Sequence, residues 1–287
     1  FLMTRPPTRF THFPYTTLFR SFSMKQKIYQ VDAFTDKLFR GNPAAVCPLE
    51  SWLSDDLMQK IARENNLSET AFYVREGRYY RIRWFTPAVE VDLCGHATLA
   101  SAYVLFNLEN YEGVKIIFKS QMSGELEVTK NDDFLTLNFP ADFVEPAELT
   151  SDITECFNIR PKYALRGKTD YMLVFENEGN IETLIPDLSK ISKLECRGVI
   201  VTSRGNNVDF VSRFFGPQSG VDEDPVTGSA HTTLTPYWSE QLGKQDMTAV
   251  QLSKRKGHLK CSVLNDRVSI SGQCRLYLKG EIYIRES

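Results

Sequence analysis

Val91-Asp92-Leu93-Cys94-Gly95-His96-Ala97-Thr98-Leu99-Ala100-Ser101-Ala102-Tyr103 joins two kinds of sequence. Upstream, Arg83-Trp84-Phe85-Thr86 is strand-like and is stopped by Pro87; downstream, the alanine-rich run predicts a helix. Gly95 and His96 then fall at a helix N-terminus, where backbone N–H groups lack intrahelical partners and the macrodipole favours an anion. The same order returns in Phe214-Phe215-Gly216-Pro217 and the acidic Val221-Asp222-Glu223-Asp224-Pro225, which run into Gly228-Ser229-Ala230 and a second helical stretch. Setting Gly95 against Gly228 sets Ala97 against Ala230, with a Phe-X-Pro upstream of each. Two halves of similar design are expected.

A chain of 287 residues has room for two ordinary domains and a sizeable core. Its 42% hydrophobic and 24% charged content and net charge of −2 describe a soluble globular protein. No basic excess draws it to nucleic acid or to an anionic membrane, and neither is expected as a partner. No apolar run approaches the ~18 residues that a membrane-spanning helix needs. The six cysteines, Cys47, Cys94, Cys156, Cys196, Cys261 and Cys274, show no CxxC spacing. That pattern fits reduced thiols in the cytoplasm better than a disulfide framework or zinc site, and no metal is expected. The GxGxxG and GxxxxGK[ST] spacings are missing, so neither dinucleotide nor P-loop phosphate binding is supported. Residues 1–23 carry Arg5, Arg9 and Arg20, no acid and no periodic apolar face. They are read as a non-native or disordered extension outside the fold, a translated cloning adapter being preferred to a transit peptide.

Along the rest of the chain, strands are expected at Lys27 to Phe34, Ala44 to Cys47, Leu67 to Val74 and Tyr79 to Phe85, with a helix from Ser54 to Glu64 capped by Ser54 and its acidic first turn. Further strands follow the Ala97 to Asn107 helix at Val114 to Lys119, Gly124 to Lys130 and Phe134 to Phe139. Pro140-Ala141-Asp142 marks a boundary between domains at 24–140 and 141–272. The second contains a short helix at Ile153 to Phe157, strands at Tyr163, Tyr171, Gly198 and Asp209, a helix from Ser229 to Leu242, and strands at Val250, Leu259 and Arg267. Gln273 to Ile284 closes the chain and could complete the first domain. Many strands joined by short turns, with few helices between them, predict an α+β architecture with a mostly antiparallel sheet.

Five residues could carry chemistry. Glu69 sits in an otherwise apolar strand, where it either faces solvent at an edge, the commoner case, or is buried with a raised pKa that suits a general acid or base. His96 at a helix N-terminus is expected to be neutral, in a structural or a hydrogen-bonding role. Asp224 reads equally as part of a solvated acidic turn, and Ser229 as a helix cap. Cys94 beside His96 suggests a thiol nucleophile, but residues two apart in a helix do not face each other, which argues against it. Together, two helix N-termini in facing halves would suit a small carboxylate.

Asp32-Ala33-Phe34-Thr35, Gly41-Asn42-Pro43-Ala44-Ala45-Val46, Asn66-Leu67-Ser68-Glu69-Thr70-Ala71-Phe72, Phe85-Thr86-Pro87, Asp92-Leu93-Cys94-Gly95-His96-Ala97-Thr98 and Glu223-Asp224-Pro225-Val226-Thr227-Gly228-Ser229-Ala230 resemble the motifs of the PhzF-like family of phenazine biosynthesis proteins. They occur in family order and span nearly everything from Met24 onward. The resemblance implies a diaminopimelate epimerase-like fold, with two pseudo-symmetric domains, each a mostly antiparallel β-barrel around a central helix, and an active site between them. It implies a cofactor-independent isomerase in which Glu69 shuttles a proton, His96 and Asp224 orient the substrate's polar groups, and Gly95, Gly228 and Ser229 hold its carboxylate. A homodimer is implied in the same way. Related racemases use two opposed cysteines, whereas this chain has Cys94 at the first site and Pro225-Val226-Thr227 at the second. A Cys94-dependent epimerase and a non-catalytic metabolite- or protein-binding member of the family are the alternatives.

Overall fold

The computed structural model describes residues 23–285, so the expected 1–23 extension lies almost wholly outside them. The first part of the chain runs β1 (Ser23–Ala33), β2 (Asn42–Leu49), α1 (Asp55–Asn65), β3 (Glu69–Glu76), β4 (Tyr79–Phe85), β5 (Glu90–Val91), α2 (Gly95–Leu108), β6 (Lys115–Ser120), β7 (Gly124–Asn131) and β8 (Phe134–Pro140). It continues with β9 (Glu145–Ala147), α3 (Ser151–Thr154), β10 (Tyr163–Arg166), β11 (Asp170–Val174), α4 (Glu178–Thr183), α5 (Leu188–Ile191), β12 (Gly198–Arg204) and β13 (Phe210–Gly216). The closing elements are β14 (Val221–Asp224), α6 (Gly228–Leu242), β15 (Asp246–Gln251), β16 (Gly257–Leu264), β17 (Arg267–Gly272) and β18 (Cys274–Arg285).

The pairing repeats. In the first half β1 and β2 are antiparallel, β2 and β3 parallel, β3 and β4 antiparallel, and β4 and β6 parallel across α2, followed by the antiparallel β6-β7-β8 meander. In the second half β10 through β13, then β15, β16 and β17, repeat that alternation, with α6 as the crossover between parallel β13 and β15. The chain therefore has the expected α+β fold of two similar halves. β8 and β17 join them in an antiparallel ladder from Arg267 opposite Pro140 to Gly272 opposite Leu135. β18 crosses back to pair with β1 along its whole length.

Helix character explains why α2 and α6 sit at the centres. Leu99, Ala100, Ala102 and Val104 of α2 are fully buried, and a helix apolar on all sides must be enclosed; α6 buries Ala230 and Leu234 together with the polar His231, Thr233 and Thr235, of which His231 and Thr235 bond to backbone carbonyls of the helix's first turns. The outer α1 behaves differently: Ser54 Oγ accepts from the Leu57 N–H at 3.3 Å, Asp55 and Asp56 occupy the first turn, and only one face is buried. α6 also contains Pro236, which cannot bond the Thr232 carbonyl one turn earlier. The Asp142 N–H takes that carbonyl at 3.1 Å, while the Asp142 carboxylate accepts from Thr233 Oγ1 at 2.8 Å. The helix irregularity thus docks the segment that leaves β8.

Several boundaries differ from expectation. The helix expected at Ile153 to Phe157 is the single turn Ser151–Thr154, and the strand expected at Val250 to Ser253 is Asp246–Gln251. The short β5, β9 and β14 and the helices α4 and α5 had no periodic signal long enough to predict them. No helix among the described residues is long and apolar enough to cross a membrane.

Candidate active site

The N-termini of α2 and α6 meet head to head. A Cβ placed on Gly95 would lie 3.4 Å from the Gly228 Cα, and one on Gly228 would lie 3.4 Å from the Gly95 Cα, so glycine is what allows the approach. Around this meeting point opens a cleft of about 670 Å³ lined by Glu69, Cys94, Gly95, His96, Asp224, Gly228 and Ser229, among others. All six candidate site residues, with Cys94, thus face one cavity. Two converging positive helix ends are a natural seat for a carboxylate.

Glu69 opens β3, and its side chain keeps 16% exposure, towards the cleft. Its Oε2 lies 3.2 Å from His96 Nε2, yet the two are not aligned as a hydrogen bond, and neither atom has a hydrogen-bond partner among the described residues. Burial, reinforced by the nearby Asp224 charge, pushes the Glu69 carboxyl well above the usual carboxylate range, and a bond from the Cys94 thiol pulls the other way. Burial likewise drives His96 down to about 3, so the imidazole is neutral. Its tautomer follows from Asn42, whose Nδ2 also faces Asp224 Oδ1 at 2.7 Å and the Val226 carbonyl at 3.0 Å. Those acceptors require the amide nitrogen at this place, and it meets His96 Nδ1 at 3.1 Å. Nδ1 is therefore the acceptor, and the proton sits on Nε2, the nitrogen beside Glu69.

The contact of Cys94 with His96 corrects the expectation from helix geometry. Cys94 is the N-cap, with extended backbone, and so lies outside the helix to which the spacing rule applies. Its Sγ reaches His96 Nδ1 at 3.5 Å. Burial and the Glu69 charge hold the thiol well above its ordinary pKa, however, which is the opposite of an activated nucleophile.

Across the cleft, the acidic run is no solvated turn, because Val221–Asp224 forms β14 against β13. Asp224 accepts from Asn42 and, at 2.6 Å, from Thr227 Oγ1, while Gln251 Nε2 donates to its backbone carbonyl at 2.7 Å. Desolvation pushes its carboxyl up to about 6 against these bonds. Ser229 is not the helix cap, a position held by Thr227. Its Oγ instead accepts from Arg197 Nη1 at 2.9 Å, and Arg197 forms a two-pronged pair with the buried Asp170.

Asn42, Gln251 and Arg197 were not singled out from sequence. Asn42 had a visible signal in Gly41-Asn42-Pro43, but as a turn; Arg197 had none. Glu69, Cys94 and His96 offer three potential ligand atoms within 4.8 Å of one another. The donor set is nonetheless ill prepared for a metal, because Asn42 holds the His96 proton on the nitrogen that a metal in that gap would need.

The model for the family described as phenazine biosynthesis-like protein matches residues 31–280. An uncharacterized isomerase of Pseudomonas aeruginosa is 50% identical over 261 residues, covering 91% of this chain and 100% of that protein. A crystal structure of a PhzF family phenazine biosynthesis protein from Enterococcus faecalis superposes with a TM-score of 0.88 at 46% identity, covering 91% of this chain and 100% of that one. A predicted epimerase from Pseudomonas aeruginosa, 18% identical, shares the fold with a TM-score of 0.70 over 90% of this chain and 99% of its own. The chain belongs to the phenazine biosynthesis-like protein family and has the fold of PhzF and the diaminopimelate epimerase-like proteins.

Proposed function

We propose that the protein is a cofactor-independent isomerase that moves a proton within a small carboxylate-bearing substrate, with Glu69 as the single acid and base. The observation that carries this reading is the Glu69 carboxyl, raised in pKa and with Oε2 unpartnered, set in the cleft where two helix N-termini converge. The backbone N–H groups at Gly95 and Gly228, with the Ser229 hydroxyl, hold the substrate carboxylate. Ionised Glu69 accepts the proton from a carbon of the substrate, the electron pair left behind spreads into the adjoining unsaturated system, and protonated Glu69 returns the proton to a different carbon. Atoms and electrons balance within one molecule. The His96 Nε2–H donates to developing negative charge, and Asp224, held by Asn42 and Thr227, orients a hydroxyl or amine.

The test is solvent deuterium incorporation across a panel of small carboxylates, with Glu69→Gln as the comparison. Loss of a positioned general base lowers exchange ~10²–10⁴-fold. Undiminished exchange in the variant removes Glu69 from the role, and absence of exchange in the wild-type protein across the panel favours the binding-only alternative. A two-thiol racemase is poorly supported, since Thr227 occupies the cap position that corresponds to Cys94 and its hydroxyl is engaged by Asp224.

A further inference from the structure

Arg197 lines the cleft yet takes no part in the proton transfer. Its Nε donates to Asp170 Oδ1 at 2.9 Å and its Nη2 to the other carboxylate oxygen, and its guanidinium rests on the Phe214 ring at 5.2 Å. Its backbone N–H bonds the Thr169 carbonyl at 2.9 Å, beside the buried Asp170 that opens β11. One side chain is thus fixed by β11 and β13 at once. A structural ion pair with Asp170 accounts for two of the three guanidinium nitrogens. The third, Nη1, donates to Ser229 Oγ at 2.9 Å, at the start of α6.

We infer that Arg197 is a positioning residue, which fixes the Ser229 hydroxyl so that its proton is delivered to the substrate carboxylate. The inference rests on the proposed function, in which Ser229 holds that carboxylate. A hydroxyl has one proton and two lone pairs, whereas a guanidinium has donors only. With Nη1 on one lone pair, Ser229 cannot give its proton back to Arg197, and among the described residues the hydroxyl donates no other hydrogen bond. The proton is left for a ligand in the cleft, which Ser229 lines. Without Arg197 the hydroxyl would be free to rotate towards nearby backbone groups, as serines close to helix starts do.

The task needs an arginine. A planar fork presents two nitrogens to Asp170 while the third still reaches Ser229, and the compact ammonium of lysine cannot do both. The two bonds to Asp170 also hold the guanidinium in the cleft wall, which leaves the helix starts as the seat for the carboxylate. Gly198 serves the same arrangement, because a Cβ there would strike the Phe214 ring on which the guanidinium rests. The Arg197 charge further offsets the desolvation of Asp224, so a substitution that keeps the charge separates the hydroxyl's orientation from the field at Asp224.

Acetate, a minimal probe of a carboxylate seat, is titrated into the full chain and followed at the backbone amide signals of Gly228 and Ser229. Arg197→Lys keeps a cation beside Asp170 and gives up the reach to Ser229. It is expected to weaken acetate ~10-fold, and the same substitution in a Ser229→Ala background is expected to change nothing. Arg197→Met combined with Asp170→Leu, which removes the buried carboxylate together with its partner, is expected to behave alike. In the exchange assay Arg197→Lys is expected to raise KM by a similar factor with kcat little changed, whereas general damage to the fold would lower kcat as well. Wild-type Gly228 and Ser229 signals that do not respond to acetate overturn the inference. So does an Arg197→Lys loss that is absent, or that is the same size with and without the Ser229 hydroxyl. The isomerase reading is decided separately, by exchange in the wild-type chain and in Glu69→Gln.

Discussion

The two halves differ most where their ladders coincide. Glu69 opens β3 opposite Ala44 on the parallel β2, and Gly198 opens β12 opposite Asp170 on the parallel β11. Each opening residue precedes a hairpin that returns to a Phe-X-Pro, and each Phe-X-Pro leads to a buried helix. Yet the first position carries the Glu69 carboxyl, raised in pKa, and the second carries no side chain at all. A Cβ at Gly198 would run into the Phe214 ring, and the functional group there is the preceding Arg197, stacked over that same ring at 5.2 Å. The helix starts diverge similarly, with Cys94 against Thr227 as caps and His96 against Ser229 two residues on. What stays common is backbone: two helix starts with N–H groups free of intrahelical partners, each backed by a side chain one turn in that takes the cap carbonyl, Thr98 for Cys94 and His231 for Thr227. Repetition of the fold therefore preserves the anion seat, and side-chain divergence splits the labour. Under the proposed mechanism the first half moves protons, and the second holds and orients.

That division can be broken residue by residue. The largest effect after loss of Glu69 itself belongs to Asn42, because one amide reaches His96 in the first half and Asp224 in the second. Asn42→Leu frees His96 to carry its proton on Nδ1 and removes a donor from Asp224. A fall in kcat of ~10–100-fold is expected, as for other residues that orient catalytic groups. If only KM moved, Asn42 would belong to binding and the two halves would not be coupled through it. Ser229→Ala addresses the holding half alone. Losing one hydroxyl donor to a carboxylate is worth roughly tenfold, expected in KM with kcat little changed. A matching loss of kcat would mean that Ser229 acts on the transition state and would blur the contrast between the halves.

Much of this organisation was legible because it is local. A glycine followed by an apolar run identifies a helix N-terminus, and two such starts in parallel order identify the repeat. The long strands were equally visible from alternation, and Ser54 with two aspartates marked α1. What escaped depends on contacts across the chain. Asn42 looks like a turn residue until β2 brings it 182 positions away to Asp224. Arg197, between Cys196 and Gly198, matches no short pattern, and its importance appears only when Asp170 and Ser229 are placed beside it. The acidic run at 222–224 matched the commonest fate of such runs, and only pairing with β13 turned Asp224 inward. Cys94 was misjudged for a subtler reason: helical spacing was applied one residue too early, across a cap with extended backbone.

Cys94 accordingly provides the smallest and most discriminating prediction. Its thiol stays protonated under the influence of burial and the Glu69 charge, so its place beside Glu69 suits a donor to that carboxylate in the reaction rather than a nucleophile. A donor to a carboxylate stabilises the ionised form, so removing it raises the Glu69 pKa further. If ionised Glu69 in the free enzyme begins the reaction, kcat/KM falls as pH drops through that pKa. Cys94→Ala should then move the acidic limb of the profile to higher pH while lowering the plateau less than ~10-fold, and Cys94→Ser, which keeps a donor, should return the limb towards its original position. A limb that does not move would separate Cys94 from Glu69. Abolished activity in Cys94→Ala with an intact fold would transfer the proton chemistry from the strand start to the helix cap, and the first half would then resemble a racemase that has lost its second thiol.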